Sequence, residues 1–153
     1  MRVCIVCVGR LSREYQAVFA HYAVLLRPYL ELEVREVGDT PLAQGEQRVL
    51  AVEGEALLRR LRPGAYTIVL DREGREFSSE GLSGHLARLK LYGRSDFQFI
   101  LGGALGLDAR LKEKADLSWS FSRLTFPHQL ARCVLVEQLY RATRIERGEP
   151  YHY

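Results

Sequence analysis

The protein has 153 residues, of which 47% are hydrophobic and 27% are charged. This length suits one domain with a real core, and it leaves no room for a catalytic domain beside a separate RNA-binding domain. The formal net charge of +3 permits a polyanionic partner without requiring one. Because no apolar run approaches the ~20 residues of a membrane-spanning helix, we expect no membrane partner.

Buried strands alternate with helices along the first two thirds of the chain. Residues 1–8 form a continuous apolar run, typical of a central strand covered on both faces. Ser12 is suited to cap a helix that ends near Leu26, and alternation over residues 30–35 predicts a strand with one wetter face. The elements predicted next are a helix over residues 46–61, a strand over 66–70, a helix from Ser78 or Ser79 to Tyr92, and a strand over 97–101.

A fifth, short strand over residues 117–121 and a last helix over residues 129–145 complete the pattern. Strands that alternate with helices predict the α/β class, with a mostly parallel sheet covered by helices on both faces. Neither a linker nor an internal repeat interrupts the chain, so we predict a single domain over residues 1–153.

The cysteines do not form a metal or redox motif. Cys4 and Cys7 lie inside the first apolar run, where a thiol is interpreted as a small buried hydrophobe. Together with Cys133 they offer no pairing scheme, which fits a reducing cytoplasm. We therefore predict no bound metal and no thiol chemistry.

Gly102, Gly103 and Gly106 directly follow the fourth predicted strand. Without a Cβ atom, glycine lets backbone amides approach a ligand closely. The GGxxG spacing differs from the GxGxxG of dinucleotide-binding folds, and no Lys-Ser/Thr pair follows as in a P-loop. The residues alone leave two interpretations open, a cofactor loop and a tight strand-to-helix turn.

An ordered set of motifs resembles one family. The glycine loop is followed by residues 117–122, Leu124-Thr125 with Pro127-His128, Glu137 with Tyr140-Arg141-Ala142, and Pro150-Tyr151-His152. This set is similar to that of the ribosomal large-subunit methyltransferase H family of the SPOUT (α/β-knot) superfamily, and weaker likeness spans the whole chain. The resemblance implies a homodimer with a C-terminal trefoil knot that uses S-adenosylmethionine to methylate N3 of a pseudouridine in 23S rRNA. Because the chain has no room for an RNA-binding module, we expect the substrate to be a folded stem-loop within the assembled ribosome, in the cytoplasm.

The same resemblance implies which residues bind S-adenosylmethionine. They are Leu70, Gly102, Gly103 and Gly106 with the segment Ser122, Arg123, Leu124, Thr125, Phe126 and Pro127. Ala104-Leu105 stand where related chains often carry Pro-Glu, which changes side-chain contacts but keeps the glycine backbone. The residues before His128 also fit the start of a helix, and both interpretations can hold together. A valine at Gly103 is expected to occupy the space of the ligand.

The catalytic candidates implied by the resemblance are His152, Arg141 and Tyr151. N3 of a pseudouracil carries a proton at neutral pH, and an imidazole titrates near that pH, so His152 is a candidate base or orienting group. Arg141 and Arg132 are candidates for stabilising the uracil anion or holding phosphate. Tyr153 replaces the Arg or Lys usual in the family, while His128 is more typical of a structural histidine.

The last helix is apolar on most of its faces. A Glu137–Arg141 pair inside it is interpreted as buried against more than the sheet of one chain, which predicts a homodimer through residues 129–145. Two other functions stay open, a SPOUT-fold tRNA methyltransferase and a non-catalytic nucleotide- or RNA-binding α/β module. Calorimetry with the cofactor and the identity of the methylated RNA distinguish them.

Overall fold

The chain forms one sheet whose strands lie in the order β2-β1-β4-β3-β5, and all strand pairs are parallel. The computed structural model describes all of residues 1–153. The strands are β1 (Arg2–Val8), β2 (Glu31–Val37), β3 (Tyr66–Glu76), β4 (Asp96–Leu101) and β5 (Leu117–Ser120). The helices are α1 (Arg13–Leu26), α2 (Glu46–Leu58), α3 (Ser79–Leu91), α4 (Ala109–Lys114) and α5 (His128–Glu146), and residues 42–44 form a short 3₁₀ turn.

Helices cover both faces of the sheet, as the alternating pattern predicted. Helices α1, α3 and α5 share a cluster of 17 buried apolar residues with one face, and α2 and α4 share a cluster of 8 with the other. The run Val3–Val8 is buried along its whole length because β1 lies between β2 and β4 with helices on both sides. No helix combines the length and the apolar character needed to cross a membrane.

Side-chain caps begin two of the helices, α3 and α4. The Ser78 hydroxyl accepts a 2.9 Å hydrogen bond from the Gly81 amide, so Ser78 is the N-cap of α3. Ser12 occupies the N-cap position of α1 without a side-chain cap, and its own amide instead donates to Gln129 Oε1 at 2.6 Å. Helix α4 was not predicted, because its 6 residues are too few to show a helical repeat, although Asp108 caps it.

Strand β3 runs six residues past its predicted end at Leu70, because β5 pairs with it twice. Trp119 is the partner of both Leu70 and Arg75, so residues 71–74 form an excursion from the ladder. A Cβ atom on Gly74 would lie 2.6 Å from the backbone of Ser118, so only glycine permits this contact. The excursion places polar side chains at the carboxyl edge of the sheet.

Arg132 of α5 is a structural clamp, which corrects its interpretation as an anion-binding residue. Its side chain is only 2% exposed. The guanidinium donates to the carbonyl oxygens of Val8 and Gly9 at 3.2 and 2.9 Å and pairs with Glu36 at 2.7 Å. Both terminal nitrogens are engaged by these partners and Nε is buried, so the guanidinium does not face a substrate. The clamp ties the start of α5 to the carboxyl end of β1.

Replacing Arg132 with methionine is expected to destabilise the fold by about 2–4 kcal/mol, because two buried carbonyl groups and Glu36 lose their partner. The midpoint of urea unfolding measures this loss. The matched control is Arg123→Met, since Arg123 is exposed, and it should leave the midpoint unchanged. Equal midpoints for the two variants would contradict the clamp.

Candidate functional site

Three loops meet beyond the carboxyl ends of β3, β4 and β5 and enclose a cleft of about 460 Å³. In parallel sheets this edge is where ligands bind. Residues 70–73 form one wall, residues 101–107 a second, and residues 119–126 much of a third, with His128 and Ala131 of α5 beneath them. Eight of the predicted cofactor residues line the cleft: Leu70, Gly102, Gly103, Gly106, Ser122, Leu124, Thr125 and Phe126.

The two remaining cofactor candidates do not line the cleft. Arg123 is exposed on the outside of its loop, and Pro127 is the N-cap of α5, so α5 begins at His128. The segment does lead into a helix, but Pro127 is at the N-cap and not at the first helical position where it was expected. Leu124 is 70% exposed and Leu105 is 37% exposed, so two large apolar side chains stand open at the cleft.

The glycine loop is a closed turn. The Gly106 amide donates to the Gly103 carbonyl at 3.1 Å, and Gly106 has a φ of 86°, which disfavours any other residue. A Cβ atom on Gly102 would overlap the carbonyl oxygen of Gly106. Glycine is therefore required at both positions by the turn itself.

Gly103 has a different environment from the one expected. A Cβ atom there would lie 3.0 and 3.1 Å from the carboxylate oxygens of Glu53 and 3.2 Å from Val8. It would point into the protein, away from the cleft, so the expectation that a valine would fill the ligand space is wrong. Such a valine would instead press on Glu53.

Polar contacts fix the walls of the cleft to each other. Arg72 donates to the Thr125 hydroxyl at 2.9 Å, and Lys112 pairs with Asp71 at 3.1 Å. Asp71, Arg72 and Lys112 line the cleft but were not predicted as site residues. The polar run that follows Leu70 was the available signal, but its place in the cleft depends on the long-range pairing of β3 with β5.

His128 lies at the junction of two cavities. It contributes to the cleft and to a neighbouring hollow formed with residues 36–39 and the loop after β1. Burial, and to a smaller degree the charge of Arg132, lowers the pKa of His128. The imidazole is therefore held neutral at working pH, which suits a packing role at the base of the cleft.

The catalytic candidates form a separate cluster where the C-terminal tail packs against α5 and α3. Arg141 donates to Glu137 at 2.6 Å, and the Tyr151 hydroxyl donates to the same oxygen at 3.0 Å. The Arg141 guanidinium also lies 4.7 Å from the centre of the Tyr151 ring. Burial is the main cause that raises the pKa of the Tyr151 phenol, so it stays protonated. None of the three candidates lines the cleft of its own chain.

His152 is held from both sides of its ring. Arg141 Nη1 lies 3.2 Å from Nδ1, and Glu80 Oε1 lies 2.8 Å from Nε2. Because a guanidinium only donates, Nδ1 accepts, and Nε2 carries the proton that it donates to Glu80. These two contacts hold the ring between α5 and α3, so the tail is fixed rather than frayed.

The apolar side of α5 is covered within one chain. Leu135, Val136 and Leu139 are at most 1% exposed and pack in the cluster shared with α1 and α3. The Glu137–Arg141 pair is partly exposed and faces the tail. The premise that this helix needs a second chain to cover it is therefore wrong.

The three cysteines are free and buried. Burial raises the pKa of Cys7 to about 12 and also raises the pKa of Cys4 and Cys133. A thiol that stays protonated is a poor nucleophile and a poor metal ligand. No group of three or more His, Cys, Asp or Glu side chains is placed to hold a metal ion.

Replacing both Cys4 and Cys7 with serine is expected to keep methyl-transfer turnover and to cost stability, on the order of 1–3 kcal/mol for each poorly bonded buried hydroxyl. Thermal unfolding and turnover measured on the same preparation separate the two effects. A stable double variant that has lost turnover would restore a role for a thiol.

The family model described as "Predicted SPOUT methyltransferase" matches residues 1–152. The chain belongs to this family. It is also 48% identical to "Ribosomal RNA large subunit methyltransferase H" of Pelotomaculum thermopropionicum, over 99% of this chain and 98% of that one. The protein of the same name from Moorella thermoacetica is 46% identical over 99% of each chain.

A solved structure supports the architecture of this SPOUT methyltransferase. The probable methylase family protein from Haemophilus influenzae Rd KW20 superposes with a TM-score of 0.51 at 10% identity. The match covers 99% of this chain and 70% of that one. At this identity the likeness shows the fold alone, and the fold class predicted from the sequence is confirmed.

Proposed function

We propose that this SPOUT methyltransferase transfers a methyl group from S-adenosylmethionine to N3 of a pseudouridine in 23S rRNA, in the cytoplasm and on the assembled ribosome. The observation that carries the proposal is the cleft at the carboxyl edge of the sheet, where eight residues implied by the family resemblance come together. Full-length similarity to relatives named as ribosomal RNA methyltransferases supports the RNA substrate.

The residues of the cleft fit S-adenosylmethionine. A volume of about 460 Å³ lies in the range of small-molecule sites. Leu70, Leu105, Leu124 and Phe126 offer apolar surface for an adenine ring, and the glycine loop offers backbone groups without side chains. The cofactor supplies an electrophilic methyl group on a positively charged sulfur.

The protein must orient the nucleobase and remove the N3 proton. Positioning and exclusion of water favour an in-line transfer without a covalent enzyme intermediate. Arg141 and Tyr151 are our candidates for holding the base, and the His152 imidazole is our candidate for accepting the N3 proton. In the arrangement described above its Nδ1 already accepts from Arg141. Accepting the N3 proton requires His152 to release that bond, so substrate binding must rearrange the pair.

We propose a homodimer, and the separation of the two candidate clusters supports it. His152, Arg141 and Tyr151 do not line the cleft of their own chain, so the proposed site is incomplete in a monomer. A second chain would bring its tail to the cleft of the first. Light scattering at micromolar concentration should therefore give the mass of two chains.

Mixed dimers test this arrangement directly. A Gly102→Val subunit lacks a sound cofactor loop, and a His152→Ala subunit lacks the tail imidazole. Neither homodimer should turn over, whereas the mixture should recover up to about a quarter of wild-type turnover if each site combines two chains and subunits mix at random. No recovery in a mixture that exchanges subunits would place tail and cofactor in the same chain.

We further propose that the chain is knotted, as the family resemblance implies. The double pairing of Trp119 with Leu70 and Arg75 supports this, because β5 lies against both ends of the excursion formed by residues 71–74. The Ser118 backbone also lies in close contact with Gly74.

Labelled methyl transfer to ribosomes from cells that lack the protein tests the proposed reaction. The label should appear in 23S rRNA at N3 of a pseudouridine, and the Gly102→Val variant should transfer none. Label in tRNA would indicate the tRNA methyltransferase instead. Cofactor binding in calorimetry with no labelled RNA of either kind would indicate a non-catalytic module.

A further inference from the structure

Glu53 of α2 is a buried carboxylate directly behind the glycine loop. The residue is 5% exposed. Its two carboxylate oxygens lie 3.0 and 3.1 Å from the point where a Cβ atom of Gly103 would be. Gly103 itself lines the cleft, so a single glycine backbone separates the carboxylate from the cleft.

Glu53 has no cation of its own. None of the salt bridges of the chain includes it. A hydrogen bond with the Thr40 backbone favours the ionised form of Glu53, whereas the carboxylate of Asp39 opposes it. Buried carboxylates in proteins are normally paired. An unpaired one beside a ligand cleft indicates that the ligand brings the cation.

Resting on the proposed function, we propose that Glu53 recognises the sulfonium charge of S-adenosylmethionine and so distinguishes the methyl donor from its demethylated product. The sulfonium is the appropriate partner because it carries an uncompensated positive charge. The amino-acid end of the cofactor also carries an ammonium, but its own carboxylate lies beside it. Because Gly103 has no side chain, only its backbone lies between the Glu53 carboxylate and the cleft. The two charges can therefore interact over a short distance with little screening by water.

The proposal has a consequence for the protein without cofactor. Burial is the main cause that raises the pKa of Glu53, and Asp39 adds to it. A raised carboxyl pKa means that ionisation opposes folding, so stability falls as pH rises from the ordinary value through the raised one. Glu53→Gln should therefore be more stable than the wild type at pH 7.5, and this advantage should vanish near pH 4.

Calorimetric binding of three ligands tests the recognition. The probes are S-adenosylmethionine, its product S-adenosylhomocysteine, and sinefungin, which carries an ammonium in place of the methylsulfonium. Glu53→Gln keeps the shape and the acceptor oxygen of the side chain. We expect it to weaken the two charged probes about tenfold, which corresponds to about 1.4 kcal/mol, and to change the product less than twofold.

The matched control is Glu55→Gln, on the same helix but exposed and paired with Arg59 and Arg110. It should leave all three affinities unchanged. In the wild type, the preference for S-adenosylmethionine over the product should also fall as pH is lowered through the titration of Glu53.

Four results would overturn the inference. An equal loss for all three probes in Glu53→Gln would assign the residue a structural role or a role at the ammonium. Unchanged binding of all three, or a wild-type preference independent of pH, would remove the sulfonium interaction. A wild-type protein that binds none of the probes would overturn the proposed function as well. If the wild-type protein binds the product normally, each of the other results leaves the proposed function intact.

Discussion

Replacing Gly102 with alanine is expected to weaken S-adenosylmethionine binding on the order of 100-fold or more. The new methyl group would overlap the carbonyl oxygen of Gly106, which is backbone and has no alternative rotamer. The turn closed by the Gly106 amide and the Gly103 carbonyl must therefore open. Calorimetry measures the affinity, and the thermal midpoint should fall by only a few degrees because the loop lies outside the sheet.

Gly84→Ala is the matched control for this prediction. Gly84 lies on the exposed side of α3, and a Cβ atom there meets nothing within 4 Å. The same chemical change should leave cofactor affinity intact and slightly stabilise the helix. Normal binding by Gly102→Ala would show that this loop does not hold the cofactor.

Replacing His152 with alanine is expected to lower turnover ~10²-fold or more at neutral pH, while cofactor affinity changes less than twofold. The side chain contacts Arg141 and Glu80 and does not line the cleft of its own chain. Turnover should recover partly as pH rises towards the ionisation of the uracil N3, because hydroxide then replaces the base. Single-turnover methyl transfer across pH, beside calorimetry, measures both effects.

Tyr153→Ala is the control for the tail, since Tyr153 is fully exposed. It alters the terminus without disturbing the Arg141–His152–Glu80 contacts and should turn over normally. Deleting Tyr151, His152 and Tyr153 together should reproduce the loss of the single His152 variant and add a loss of stability, because Tyr151 packs on Tyr140. Normal turnover by His152→Ala would refute the base assignment and direct attention to Tyr151 or Arg141.

Local patterns predicted the parts of the fold that depend on local chemistry. The apolar run of β1 is buried as expected, and Ser78 caps α3 through its own hydroxyl. The glycine loop was recognisable because Gly102 and Gly106 meet steric demands within the same few residues. Such features depend on neighbours in sequence, so the sequence is sufficient to find them.

Features created by long-range contacts were missed or misread. The sequence suggested that Arg132 binds substrate, whereas in the structure its guanidinium donates to the carbonyl oxygens of Val8 and Gly9. The direction of Gly103 towards Glu53 and the bond between His152 and Glu80 join segments far apart in the chain. The periodicity of a sequence does not show which way a backbone faces after distant strands have paired. Arg72 was not predicted as a cleft residue because its position depends on such pairing.

The position of β1 in the sheet has a consequence for how the chain is made. Val3 is a neighbour of Phe97 in the sheet, so almost two thirds of the chain must be synthesised before the first strand can meet its second partner. At about 5–20 residues per second, translation leaves one edge of that strand open for on the order of 5–20 s. Until then its exposed apolar residues can associate with other nascent chains. Conditions that slow elongation should therefore lower the soluble yield.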